Sequence, residues 1–145
     1  AYESGVIRAV AYDVHGNAVG ESHLTSATGQ TGLKVTQEKD FLTSEKEIMI
    51  SACEEERIVY LDLLLVGENG EIECNADRLL EVSVEGAELL AFGSANPKTE
   101  DDYLTGKYHT YFGRAQAVLA LSKESKQAQI SIYGEGLEKV TYTII

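Results

Sequence analysis

Apolar and polar residues alternate with a period of two along most of this chain. Val6-Ile7-Arg8-Ala9-Val10-Ala11-Tyr12 is rich in β-branched residues, Asp13-Val14-His15-Gly16-Asn17 supplies a turn, and Ala18 to Leu24 returns. That order predicts a hairpin. Thr25 to Gly32, dominated by Thr, Ser and Gly, breaks the pattern and reads as a linker or a crossover between strands. From Leu33 the alternation restarts, with short strands expected over Leu33 to Thr36 and Glu47 to Ser51. Ile58 to Val66 is apolar at almost every position, which predicts a central strand covered on both faces. Its leucines would also suit a helix. The turn Glu68-Asn69-Gly70-Glu71 that follows decides for a strand, because Asn-Gly supplies the positive φ angles of a tight turn.

Further strands are expected over Leu80 to Val84, Glu88 to Phe92, Arg114 to Leu121, Ala128 to Tyr133 and Lys139 to Ile145. Ile130 and Ile132 flank Ser131, and Val140, Tyr142 and Ile144 interleave with Thr141 and Thr143, while Gly134 and Gly136 mark the turn between these strands. No segment carries a sustained apolar stripe at helical spacing. Many short strands separated by turn signals predict an all-β fold, an antiparallel immunoglobulin-like β-sandwich. With no Trp in the chain, the Cys-Trp-Cys core of antibody domains is absent, and the likeness is one of architecture.

The first hairpin fits this scheme least well, since a lone hairpin is marginal in water. Residues 1–28 are read as the C-terminal hairpin of a preceding β-sandwich, and residues 29–145 as the sandwich proper. A ribbon docked onto the main domain is the alternative.

The totals narrow the classes of function. A chain of 145 residues with 43% hydrophobic and 25% charged residues has the make-up of a packed domain with an ordinary core. A net charge of −12 argues against nucleic acid and against an anionic membrane surface, both of which require Lys and Arg patches. No apolar run approaches the roughly 20 residues that cross a bilayer as a helix. Glu54-Glu55-Glu56 and Glu100-Asp101-Asp102 lack the alternating ligands and central Gly of a calcium loop, so no metal site is expected and solvated loop or strand ends are favoured. No motif implies a cofactor. Cys53 and Cys74 are too few for a disulfide scaffold and show no zinc spacing; whether they pair stays open, with buried or half-buried free thiols favoured.

Several segments resemble bacterial enzymes of glycoside hydrolase family 2. Gly5 to Gly29 is similar to the closing strands of a sandwich in that family, and Leu33 to Thr36 to the first strand of the next one. Val59 to Leu63, Glu68-Asn69-Gly70-Glu71-Ile72, Asn75-Ala76-Asp77 and Leu80 to Gly86 follow the order of that next sandwich. Phe92-Gly93-Ser94-Ala95-Asn96-Pro97 is similar to the family's Gly-Asn-Gly-Asp-Pro type of turn. Phe112-Gly113-Arg114-Ala115-Gln116-Ala117 matches the following strand, with its Gly one place early. Phe41 to Arg57 departs from the pattern, being longer and more acidic than the usual short link. The resemblance implies a C-terminal, non-catalytic part of a β-galactosidase-like enzyme, whose partners are the other domains of that enzyme.

Catalytic chemistry is not evident in the residues. Glycoside hydrolysis needs two carboxylates at a defined separation, and no pair here has an apolar setting of the kind that raises a pKa. In the resembled family those carboxylates stand on a (β/α)8 barrel, which takes roughly 250 residues. His15, His23 and His109 lie in polar surroundings, without a Gly-x-Ser-x-Gly elbow. No catalytic residue is assigned. Tyr103, Tyr108 and Tyr111, crowded into one loop with Phe112, are the candidates for contact with carbohydrate, since aromatic faces and neighbouring polar groups together suit a sugar. The competing role for these rings is to anchor or cap the core. An adhesin-type immunoglobulin-like spacer and a free-standing carbohydrate-binding module are the alternatives to the accessory domain.

Overall fold

The computed structural model describes residues 3–38, 56–122, 124–125 and 127–145. The strand expected over Glu47 to Ser51, most of the long acidic link and Cys53 lie outside the described residues, and Cys74, expected buried or half-buried, is exposed in the connection before β5. Within them the chain forms ten strands: β1 (Val6–Tyr12), β2 (Ala18–Thr25), β3 (Gly32–Gln37), β4 (Glu56–Val66), β5 (Leu79–Glu85), β6 (Glu88–Gly93), β7 (Lys107–His109), β8 (Arg114–Ser122), β9 (Ala128–Gly134) and β10 (Val140–Ile144). Eight of them make two antiparallel sheets, one ordered β3-β4-β8-β6 and the other β10-β9-β5-β7.

The period-two pattern places one set of side chains between these sheets. Val59, Leu61, Leu63 and Leu65 of β4 and Ala115, Ala117, Leu119 and Leu121 of β8 point inward from the first sheet. Leu80 and Val82 of β5 and Ala128, Ile130 and Ile132 of β9 meet them from the second. Small residues on β8 make room for large neighbours. Ala117 lies opposite Phe92 of β6 on one side and Leu61 of β4 on the other, and all three are fully buried. Such size complementarity keeps the interior near crystal density.

β4 is central, between β3 and β8, as its apolar run predicts. It is not covered on both faces, however. Its outer positions, Ile58, Tyr60, Asp62, Leu64 and Val66, are partly buried or exposed. The described residues form only two layers, so one face of β4 meets the core and the other stays accessible. The Asn69-Gly70 turn also forms, with Gly70 at φ 80° and Gly67 N donating to Glu71 O at 2.9 Å. It returns the chain for a single bridge, Val66 to Ile72, before β5 crosses to the other sheet. β7 lies inside the segment read as one long loop.

β1 and β2 form a two-stranded sheet of their own. Both faces of this ribbon are open: Ile7 is 74% exposed, Val19 65% and Leu24 73%. Asn69 ties the end of the ribbon to the sandwich. Its Oδ1 accepts from Thr28 N at 3.2 Å and its Nδ2 donates to Ser26 O at 2.9 Å, while Glu68 N donates to Thr28 O at 2.8 Å.

Candidate functional site

The β6–β7 connection, from Ser94 to Gly106, carries the chain from one sheet to the other and is folded by its own polar side chains. Asn96 Oδ1 accepts from Lys98 N at 2.9 Å, Thr99 Oγ1 from Asp101 N at 3.0 Å, and Asp102 Oδ1 from Leu104 N at 2.8 Å. Short polar residues favour such local turns over sheet pairing. Asp101 Oδ2 also accepts from the backbone N of His109 and meets His109 Nδ1, both at 2.9 Å. Those contacts, the backbone one first, hold the Asp101 carboxyl below the usual carboxylate range. The acidic cluster therefore serves the loop's own backbone. His15 lies in the β1–β2 turn, His23 on β2 opposite Arg8, and His109 on β7.

The three tyrosine candidates separate. Tyr108 is fully buried, packed edge-on against Phe92 with centroids 6.5 Å apart, so its ring belongs to the core. Tyr103 stacks on it at 4.9 Å and 27°, with the other part of its surface open. The absence of a side chain at Gly93 makes this possible, because a β-carbon there would run into the Tyr103 ring. Tyr111 lies elsewhere, at the start of a two-residue turn into β8.

That turn is closed by Tyr111 N to Arg114 O at 2.9 Å and Arg114 N to Tyr111 O at 3.1 Å. Its central residues, Phe112 (φ 49°) and Gly113 (φ 70°), both have positive φ. This geometry suits Asn-Gly, and a bulky residue in the first position is strained. Phe112 is nevertheless there, 55% exposed as a residue, its ring 4.5 Å from that of Tyr111 at a tilt of 59°.

Tyr103, Tyr111 and Phe112 border one open groove of about 610 Å³ on the outer face of the β4-β8-β6 sheet. Ala91, Gln116, Val118 and Asp62 lie along it, and Arg114, Ser94 and Ala95 complete its sides. Asp62 and Gln116 are register partners on adjacent strands, and Gln116 Nε2 donates to Asp62 Oδ1 at 3.1 Å. Ser94 Oγ is buried without a hydrogen-bond partner among the described residues. Sequence reasoning passed over Asp62, Gln116, Ser94 and Arg114. The available signal was Asp62 itself, the one acidic residue within the apolar run Ile58 to Val66, at an outward position between the apolar inward positions Val59, Leu61, Leu63 and Leu65.

Residues 42–143 match the sequence family described as glycoside hydrolase family 2 C-terminal domain 5. No curated protein matches the chain. Among solved structures, a glycosyl hydrolase family 2 member from Bacteroides cellulosilyticus is similar over 99% of this chain, with a TM-score of 0.82 and 24% identity. A β-glycosidase from Bacteroides vulgatus is similar over 99% of the chain with a TM-score of 0.73 and 17% identity, and a family 2 β-glucuronidase over 99% with 0.73 and 18%. The chain spans 19%, 17% and 14% of the lengths of these three proteins, respectively. These likenesses agree in fold with the antiparallel sandwich, and the family match covers it from before β4 to within β10. The chain belongs to the glycoside hydrolase family 2 C-terminal domain 5 family, as an accessory β-sandwich module of a glycoside hydrolase.

Proposed function

We propose that this module works within a β-galactosidase-like enzyme, packing against the other domains of that enzyme, buttressing them and meeting carbohydrate through its outer groove. The β1–β2 ribbon carries this reading. Val6, Ile7, Val19 and Leu24 are each more than 60% exposed on a ribbon with two open faces, and a two-stranded sheet is marginal unless something covers it. In this reading residues 1–28 complete a preceding sandwich, and residues 29–145 form the accessory one. The family match begins at residue 42, beyond the ribbon, and is consistent with that division.

The experiment compares this chain with the enzyme that contains it. The larger protein should hydrolyse nitrophenyl β-galactoside, and the 145-residue chain should not. Hydrogen exchange of Val6 to Thr25 should be slow in the larger protein and fast in the isolated chain. Turnover that follows the isolated chain, or equally fast exchange in both, would remove the proposal. Faster turnover of the β-glucuronide would replace the galactoside as substrate and leave the accessory role in place.

A further inference from the structure

We infer that the groove on the β4-β8-β6 face is a subsite for a neutral hexopyranose, with Phe112 and Tyr111 as its aromatic platform and Asp62 and Gln116 as its hydroxyl-binding floor. This rests on the carbohydrate-facing reading above and gives it a ligand class and a set of contacts.

Phe112 is the first reason. It is the one non-glycine residue with positive φ among the described residues. Holding a bulky residue there is strained, and strain of this kind gathers where it serves function. Asn would occupy the position with less strain. Phe112 is mostly exposed, so core packing does not account for keeping it. What it does is stand beside Tyr111 at the mouth of the groove.

The floor is the second reason. Asp62 and Gln116 hold each other across neighbouring strands, so their polar atoms are fixed before any ligand arrives. A carboxylate that accepts beside an amide that both donates and accepts matches adjacent hydroxyls on a pyranose ring. Ser94 also lines the groove, although its Oγ is buried away from solvent and without a partner among the described residues. Arg114 adds donors at the rim. Apolar walls with a few fixed polar groups, in a volume of about 610 Å³, have the character of a small-ligand site.

Charge selects the class of sugar. A uronate would bring its carboxylate toward Asp62 on a chain of net charge −12, with Arg114 the one cationic side chain lining the groove among the described residues. A neutral hexose meets the same donors and acceptors without that repulsion.

The test titrates the 145-residue chain with β-1,4-galactobiose and cellobiose, and in parallel with digalacturonate, by calorimetry and by amide NMR shifts. Saturable binding of a neutral disaccharide is expected, about tenfold or more tighter than the acid, roughly 1.4 kcal/mol. The shifts should centre on Tyr111 to Gln116. Phe112→Asn should weaken binding about tenfold while raising Tm, and Gln116→Ala should weaken it with Tm near wild type. The rise in Tm shows that a loss of binding in Phe112→Asn is not a loss of fold. Absence of saturable binding, an acid bound as tightly as the neutral sugars, or unchanged affinity in both variants would overturn the inference. Absence of binding would also remove the carbohydrate contact proposed for the module, whereas the ribbon exchange and the turnover of the larger enzyme test its accessory role separately.

Discussion

Asp77 holds Gly113 in place: its Oδ1 accepts from Gly113 N at 3.1 Å, reaching from the segment before β5 to the turn that presents Phe112. The same oxygen accepts from Thr110 Oγ1 at 3.2 Å, and that hydroxyl accepts from Arg78 N at 2.9 Å. Thr110 is buried, so its hydroxyl cannot exchange these partners for bulk water. Asp77→Ala should therefore lower stability by about 1–3 kcal/mol, as a buried hydroxyl and a turn amide lose their acceptor. Denaturant unfolding of the two proteins measures this, and a change within error would show that the Asp77 contacts do not hold the turn.

Gly113 is constrained twice over. At φ 70° it sits where only glycine is free of strain, and a β-carbon there would run into the Glu73 carbonyl. Gly113→Ala should cost about 2–4 kcal/mol from the combined backbone strain and collision. Gly16→Ala is the control, with a similar φ of 82° and open space around it, and should cost less. Equal losses in thermal melts would assign the whole effect to φ.

The contact between Gly93 and Tyr103 gives a spectroscopic prediction. Gly93→Ala places a methyl where the Tyr103 ring lies and should push that ring off Tyr108. Overpacking of this kind typically costs about 1–3 kcal/mol. The near-ultraviolet tyrosine dichroism should fall while the far-ultraviolet spectrum stays that of a sandwich. An unchanged tyrosine signal would mean that the stack survives the methyl.

Asp101 predicts a pH dependence. Its carboxyl is held below the usual range, first by the His109 backbone N–H and then by the His109 ring. A depressed folded-state pKa contributes stability that is complete above the unfolded value, near 4, and lost as pH falls through the lower folded value. The Tm difference between wild type and Asp101→Asn should therefore be largest above the unfolded value, near 4, and shrink as pH falls below it. A difference that grows on acidification would contradict the sign.

The strands were legible in the chain because period-two alternation reports directly which side chains share a face. β8 and β9 show it best, where Ala115, Ala117, Leu119 and Leu121, and Ile130 and Ile132, line up inward as their spacing requires. β7 was not legible: Lys107-Tyr108-His109 is too short to alternate, and its pairing with β5 is a contact distant in sequence. The same holds for Tyr108. Nothing local separates it from Tyr103, yet one ring fills the core and the other stacks over it.

Local pattern thus determined the all-β class, the positions of the described strands other than β7, the turns at Gly16, Gly70 and Gly136, and the order of segments that resembles family 2 glycoside hydrolases. Tertiary structure alone decided the rest. It left the outer face of β4 open, brought Asp62 of β4 beside Gln116 of β8, and set Phe112 at the rim of the same groove. Those residues are up to 54 positions apart and meet through strand register and a two-residue turn. Register is fixed by burying the opposite face of each strand, so the groove is a consequence of the core rather than of any motif within it.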